Sequence, residues 1–340
     1  MLEPQAHPND IILTGDRPTG RLHLGHYVGS LRARVELQHR LTQYVLIADL
    51  QALTDNGSQP QKVSASIFAI LADYLAVGID PDKTTICLQS ALPALSELTM
   101  LYMNLVTVAR VERNPTVKNE LQQKGFQRNI PVGFQNYPIS QAADITAFHA
   151  NIIPVGDDQL PMIEQTNEIV HKMNELLGSP YLVPCHAQLS EQSRLPGIDG
   201  NAKMSKSLGN GIYLSSSEEE ISLAVKQMYT DSRHLRINDP GHIDGNVVFT
   251  YLDAFHPDKA KISAMKNHYQ QGGLGDKHCK ATLETCLQEL IAPIRQRRAE
   301  VLKEKSELFA ILKKGTEKAN EVTQQTLSQI KRGLGLPCLF

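Results

Sequence analysis

Two short segments of this 340-residue chain carry residues suited to phosphate chemistry. The first is His23-Leu24-Gly25-His26, reached through the turn Thr14-Gly15-Asp16-Arg17-Pro18-Thr19-Gly20. A glycine-rich turn that opens a helix offers unpaired N–H groups and a partial positive charge, where phosphate binds well. Gly20 and Gly25 let the backbone approach a ligand closely. Histidines three apart share one helical face, so His23 and His26 can both point at a triphosphate. An isolated H-x-x-H also fits a packing or capping pair, and the glycine-rich setting is what favours a ligand. The pattern G-x-x-x-x-G-K-S/T is absent, so this is not a P-loop.

The second segment is Lys203-Met204-Ser205-Lys206-Ser207, flanked by Gly197, Gly200 and Gly209. Two lysines and two serines on a glycine-hinged loop suit a mobile arm that closes over pyrophosphate. Lysine acts there as a movable point charge, stabilising the negative charge that develops as an α–β phosphate bond breaks. The plain alternative is a solvated surface loop. With the histidine turn upstream, the two segments read as halves of one nucleotide site at which ATP activates a small carboxylate.

The pattern around them indicates what must hold them in place. Asp10 to Thr14, Tyr44 to Asp49, Thr84 to Leu88 and Ile152 to Val155 read as strands. Leu24 to Leu41, Lys62 to Val77 and Gln159 to Leu177 read as helices between or after them. Such alternation predicts an α/β fold, a Rossmann-like doubly wound parallel sheet, with ligands beyond the carboxyl ends of the strands. After the loop at 195–211 the pattern changes. Ser217 to Glu220 has the spacing of a capping box. Beyond Tyr251 helices are expected over Leu283 to Leu302, Ser306 to Leu312 and Thr316 to Arg332, with Gly315 marking a break. Leu287, Leu290, Ile291 and Ile294 form one apolar stripe at helical spacing. The expected division is a catalytic domain over 1–214, including the mobile loop at 195–211, and a C-terminal α-helical domain over 215–340.

Composition excludes several classes. Hydrophobic residues are 41% and charged residues 21%, ordinary for a soluble globular chain. No apolar run approaches the ~20 residues of a membrane helix. The opening stretch contains Glu3 and Asp10 and reads as neither signal nor transit peptide, so the cytoplasm is the expected compartment. Five cysteines without a C-x-x-C pair, including His278-Cys279 near Cys286, fit no four-ligand metal spacing; packed, reduced thiols and no metal are expected. The net charge of −2 is unevenly spread. Residues 257–340 carry 15 Lys and Arg against 9 Asp and Glu, while residues 1–256 carry 19 against 27. A basic C-terminal third is compatible with an RNA contact or with solvated helices.

The signatures resemble those of the class I aminoacyl-tRNA synthetases: His23 to His26 is similar to their "HIGH" motif, and Lys203 to Ser207 matches their "KMSKS" motif letter for letter. Finer likeness is to the tryptophanyl family. Pro18 to Gly29 resembles its P-S/T-G-x-L-H-L-G-H/N-Y-x-G block, Ala142-Ala143-Asp144-Ile145 its A-A-D-I segment, and Ile153 to Gln159 its V-P-V-G-E/D-D-Q segment. Asp239-Pro240-Gly241 and Val248 to Tyr251 resemble a later one. The likeness runs from about residue 11 to 333.

The resemblance implies that the carboxylate of L-tryptophan attacks the α-phosphorus of ATP, bound with Mg2+ as a substrate complex. Tryptophanyl-adenylate and pyrophosphate form, and the acyl group then passes to tRNA(Trp). No covalent nucleophile is needed, and positioning and charge stabilisation dominate. By resemblance, His23, His26, Lys203 and Lys206 are catalytic. Arg17, Pro18, Thr19, Gly25, His26, Gly156, Asp157 and Asp158 line the ATP site, with Leu195 reaching adenine by its backbone and Lys203, Met204, Ser205, Lys206 and Ser207 closing it. Tyr137 and Gln159 hold the amino group of tryptophan, and Ile153 and Val155 form apolar walls. The indole N–H falls to Asp144 or to Gln141, since this chain has a glutamine where the bacterial pattern has methionine. Leu95 replaces a common histidine in the otherwise similar Gln89-Ser90-x-x-Pro93-Ala94 segment. Lys118 is placed to approach phosphates or tRNA, or simply solvent. A homodimer and an anticodon-reading C-terminal domain, containing Arg295, Arg297 and Arg298, also follow by resemblance.

Three other readings compete. A tyrosyl-tRNA synthetase would carry a G-G-S-D-Q-type segment in place of Gly156-Asp157-Asp158-Gln159. A related nucleotidyltransferase without tRNA would not need the intact lysine loop. A non-catalytic RNA-binding paralogue would have lost signature residues such as His26, Lys203 and Lys206.

Overall fold

The structure, a computed structural model, describes residues 9–126, 129–189, 195–200, 204 and 208–337. Five strands form one parallel sheet: β1 (Ile11–Asp16), β2 (Thr42–Ile47), β3 (Thr84–Leu88), β4 (Ile152–Val155) and β5 (His186–Leu189). Their order is β3-β2-β1-β4-β5, with Ile11 opposite Thr42 and Ile12 opposite Ile152. The chain winds outward from β1 to β3, then crosses back to lay β4 against the other side of β1. That reversal opens a crevice beyond the carboxyl ends of β1 and β4, the topological switch point of a doubly wound sheet.

Short α1 (Leu24–His26), a π turn (Tyr27–Leu31) and α2 (Arg32–Leu37) follow β1. The helix expected to reach Leu41 therefore ends at Leu37, and a π turn interrupts it directly behind the histidines. Such turns concentrate at functional sites. Next come α3 (Asp49–Asn56), α4 (Pro60–Val77), α5 (Pro93–Met103), α6 (Val108–Glu112), α7 (Pro115–Lys124) and α8 (Val132–Ala147). After β4 comes α9 (Leu160–Leu177). The second half contains α10 (Glu218–Gln227), α11 (Val247–Phe255), α12 (Lys259–Gln271), α13 (Asp276–Val301) and α14 (Lys305–Gly333). The capping box at the start of α10 is present: Glu220 N donates to Ser217 Oγ and Ser217 N to Glu220 Oε2.

Gly315 does not break the last helix, as its sequence setting suggested; α14 runs through it unbroken. A Cβ there would stand 2.1 Å from Ile86 O, so the missing side chain lets the helix lie directly on β3. Thr316 Oγ1 then accepts the Leu88 N–H at 3.1 Å. The helix thereby covers β3, an edge strand whose backbone would otherwise be open to pairing. Further along α14, Ala319, Leu327 and Ile330 pack in the same core as Leu13, Tyr44 and Ile153. A second core joins Leu22 and Leu24 to Ile212, Leu214 and residues of α4, α11 and α13. The four described cysteines, Cys87, Cys185, Cys279 and Cys286, are buried free thiols. Among the described residues no helix is long and apolar enough to cross a membrane, and no His, Cys, Asp or Glu group could hold a metal.

Candidate active site

The histidine turn leaves β1 at the switch point. His23 Nδ1 accepts the Gly25 N–H at 3.1 Å, and His26 Nδ1 accepts the His23 N–H at 3.2 Å. The pair forms a reciprocal cap, with ring centroids 3.9 Å apart. Because each Nδ1 accepts, each ring carries its proton on Nε2, so the capping and the ligand readings of these histidines are compatible. Gly25 is required by this geometry: a Cβ would lie 2.9 Å from His23 Cε1 and Nδ1.

Two buried carboxylates brace the turn, and sequence reading assigned neither a role. Asp16, at the end of β1, accepts Arg34 Nη1 and Tyr74 Oη, both at 2.7 Å. Burial opposes its charge, but the Arg34 guanidinium and the Arg34 and Tyr74 hydrogen bonds outweigh that and hold its carboxyl far below the usual range. Asp73 on α4 accepts the Leu22 N–H at 3.0 Å. Both partnerships span long stretches of chain, so local patterns carry no sign of them.

The lysine loop meets the turn. Of its five signature residues Met204 is described; Lys203, Ser205, Lys206 and Ser207 lie outside the described residues. Met204 is buried, its N–H donates to Leu195 O at 3.1 Å, and its Sδ lies 3.4 Å from Gly25 N. Where the loop leaves, Leu24 N donates to Ile212 O (2.9 Å) and Leu214 N to Leu22 O (3.0 Å), pairing His23 with Tyr213. Arg21 stacks on the Tyr213 ring, 4.5 Å from its centroid. Leu195 is buried at the loop's entry, where Tyr251 Oη donates to Pro196 O. Residues 212–214 were not singled out in the sequence, yet they lock the two motifs together.

Arg17 N-terminal to this turn, with Pro18 and Thr19, stands at the mouth of β1, where Thr19 N donates to Arg17 O. Across the crevice, β4 delivers Gly156, Asp157, Asp158 and Gln159 into a 3-10 turn that starts α9. Asp158 folds back over Gly156, whose Cβ would lie 2.8 Å from Asp158 Oδ1, and Asp157 is exposed. Thr116 Oγ1 donates to Asp158 O at 2.6 Å, tying α7 to this turn, while Lys118 on α7 is exposed.

Tyr137, Gln141 and Asp144 recur at helical spacing along α8 and share one face. Burial, with Glu120 next in effect, pushes the Tyr137 phenol well above its usual range, and the charges of Arg17 and Asp158 also act on it. Arg17 and Asp158 therefore lie within electrostatic reach of Tyr137. Ile153 is buried on β4, with Val155 and Gln159 partly exposed at its end. Asp144 is 4% exposed and receives Gln89 Nε2 on both oxygens, at 3.0 and 2.8 Å. Burial raises its carboxyl to about 7, against the lowering effect of Gln89. Gln141 is partly exposed. Gln89 was visible as part of a motif, but not as the partner of Asp144.

Known proteins are similar throughout. The family model for class I tRNA synthetases (W and Y) matches residues 5–292. The chain is 54% identical over 331 residues to the tryptophan–tRNA ligase of Clostridium longisporum, covering 96% of this chain and 97% of that one. It is 55% identical over 333 residues to that of Streptococcus mutans, covering 96% and 98%. Among solved structures, the tryptophanyl-tRNA synthetase of Campylobacter jejuni, complexed with ADP and tryptophan, superposes with a TM-score of 0.83 at 29% identity, covering 96% of this chain and all of that one. The glycine-braced histidine turn, the loop residue seated on it and the five-stranded parallel sheet beneath them thus sit within a likeness that spans nearly the whole sequence, and the chain belongs to the class I (W and Y) tRNA synthetases, among the tryptophan–tRNA ligases.

Proposed function

We infer that this chain is a tryptophan–tRNA ligase: it activates L-tryptophan with ATP and transfers it to tRNA(Trp). The observation that carries the reading is the pairing of residues 22–24 with 212–214, with Met204 against Gly25, which brings the histidine turn and Met204 together at the switch point. Family membership supplies the amino acid.

In the reaction, a tryptophan carboxylate oxygen attacks the α-phosphorus of Mg-ATP, and the bond to the β-phosphate breaks. Pyrophosphate leaves with the electron pair. A ribose hydroxyl of the tRNA terminus then attacks the adenylate carbonyl, and AMP leaves. Arg17, Pro18, Thr19, Gly25, Gly156, Asp157, Asp158 and the backbone of Leu195 form the ATP cradle. His23 and His26 present Nε2–H donors to the phosphates, and Lys203 and Lys206 neutralise the departing pyrophosphate, with Ser205 and Ser207 beside them. Tyr137 and Gln159 hold the ammonium group, Ile153 and Val155 wall the ring, and Asp144 receives the indole N–H. The burial of Asp144 favours it over Gln141 for that role, since a desolvated acceptor discriminates most strongly for a donor.

Residues 1–214 serve as the catalytic unit and 215–340 as the tRNA-reading unit, supported by the basic balance of residues 257–340. Arg295, Arg297 and Arg298 already donate within the chain, to Ser216 O, Ala76 O and Asp73. The active assembly is a homodimer, as the resemblance to the tryptophanyl family implies. The cytoplasm is its place of work.

The test is ATP–pyrophosphate exchange with each of the twenty amino acids. Exchange with tryptophan alone is expected. Exchange with tyrosine instead would overturn the specificity, and exchange with none would remove the ligase reading.

A further inference from the structure

Gln89 sits in the 3-10 turn Gln89–Ala91 that ends β3, and it is 2% exposed. Its Oε1 accepts the Gln51 N–H at 3.0 Å, at the first turn of α3. The orientation of its amide is therefore fixed at both ends. A backbone donor demands oxygen on one side, and the Asp144 carboxylate demands NH2 on the other. Ser90 N donates to Asp49 Oδ1 at 2.9 Å, pinning the same turn to α3 a second time. Because the amide straddles the carboxylate, each Asp144 oxygen keeps acceptor capacity for another donor.

We propose that Gln89 is a positioning residue for amino-acid selection: anchored by Gln51 and α3, it fixes the Asp144 carboxylate so that its remaining acceptor capacity meets the indole N–H of tryptophan. The proposal rests on the assignment of Asp144 to that contact. A carboxylate this deeply buried is ionised near neutral pH only with help, and the one described side chain donating to it is Gln89. Charged acceptors make hydrogen bonds about twice as strong as neutral ones, so holding the anion also strengthens selection. The neighbouring titratable groups do not substitute. Cys87 on β3 is electrostatically coupled to Asp144, but burial pushes its thiol far above the working range. Asp49 on α3 is engaged by Ser90 N.

The test compares tryptophan with 3-(benzothiophen-3-yl)alanine, an analogue of nearly the same shape that lacks the N–H. KM and kcat in ATP–pyrophosphate exchange are measured for both from pH 6 to 9, together with KM for ATP. Q89M keeps the side-chain length and removes the donor. It should raise KM for tryptophan about 10- to 100-fold at pH 7, the loss of one buried hydrogen-bond partner. KM for the analogue, KM for ATP and kcat should stay within about threefold. The fall in tryptophan KM with rising pH should move to higher pH. If Q89M does not fold, Q89E should give the same tryptophan-selective loss, growing with pH as two carboxylates come face to face. An equal rise for both amino acids, or an unmoved pH profile, would overturn the proposal. D144L, which removes both acceptor oxygens at similar volume, separates it from its premise. If D144L leaves the tryptophan-to-analogue ratio unchanged, Asp144 does not read the indole. If D144L abolishes the preference while Q89M preserves it, Asp144 keeps its role and Gln89 loses its own.

Discussion

Arg298 on α13 donates Nε to one oxygen of Asp73 on α4, while the other oxygen accepts the N–H of Leu22, the residue before His23. Asp73 is fully buried and Arg298 partly so. A residue of the C-terminal helical region thus reaches the histidine turn through a single carboxylate. On the same helix Arg295 Nη1 donates to Ser216 O at 2.7 Å, just past the exit of the lysine loop. The histidine turn and the stretch at Ser216 are therefore braced by one helix.

Removing this brace should cost both stability and ATP binding. R298M strips a buried carboxylate of its counter-ion, a change worth about 3–5 kcal/mol. Urea denaturation should show that loss. The double variant D73N/R298M should be less unstable than R298M, because the uncompensated charge is gone. KM for ATP should rise in R298M with KM for tryptophan little changed. Strictly additive effects of D73N and R298M would show that the two side chains are not coupled.

Gly25 offers a sharper probe of the turn. In G25A the new Cβ would press within 2.9 Å of the His23 ring and 3.6 Å of Met204 Sδ. The ring must shift, and its cap to Gly25 N is lost, which costs about 0.5–2 kcal/mol. Catalysis should suffer far more, by about 100-fold in exchange rate, since small displacements of positioning groups are that costly. Wild-type exchange by a folded G25A would disconnect the cap from catalysis.

The parts of this architecture that were legible in the sequence are those with a local pattern. Thr84 to Leu88 and Ile152 to Val155 are short runs of mainly β-branched or aliphatic residues, and the structure forms β3 and β4 over them. The capping box at Ser217 and Glu220 was equally local. Strand β5 was missed because His186–Leu189 is only four residues long, mostly exposed and without a β-branched or aromatic side chain. The braces were missed for a different reason. Asp16 with Tyr74, Leu22 with Asp73 and Gln89 with Asp144 lie 58, 51 and 55 residues apart, so their meeting is set by the winding of the sheet. Motif resemblance supplied the candidate site residues, but not what holds them.

Gly315 shows how a local rule can reverse. A glycine inside a helix is ordinarily about 0.5–1 kcal/mol worse than alanine. Here the alanine Cβ would sit 2.1 Å from Ile86 O, and backbone on both sides limits escape. G315A should therefore destabilise by about 1–3 kcal/mol through overpacking. A thermal melt distinguishes the two signs directly. Hydrogen exchange at Leu88 N, which donates to Thr316, should rise with it.

The ionisation of Asp144 makes stability depend on pH in a calculable direction. Burial raises its carboxyl from the ordinary 3.8 to about 7 in the folded chain. Between those values the folded chain holds a proton that the unfolded chain has released. The contribution of this group is full below about pH 4 and is lost as pH rises through 7. Asparagine cannot ionise, so it escapes that loss. Relative to the parent chain, D144N should gain about 2–3 kcal/mol on going from pH 5 to pH 8, whatever its offset at pH 5. Urea denaturation of both chains at the two pH values measures the change. A difference independent of pH would mean that Asp144 is ionised throughout the range, with the Gln89 amide offsetting the whole cost of its burial.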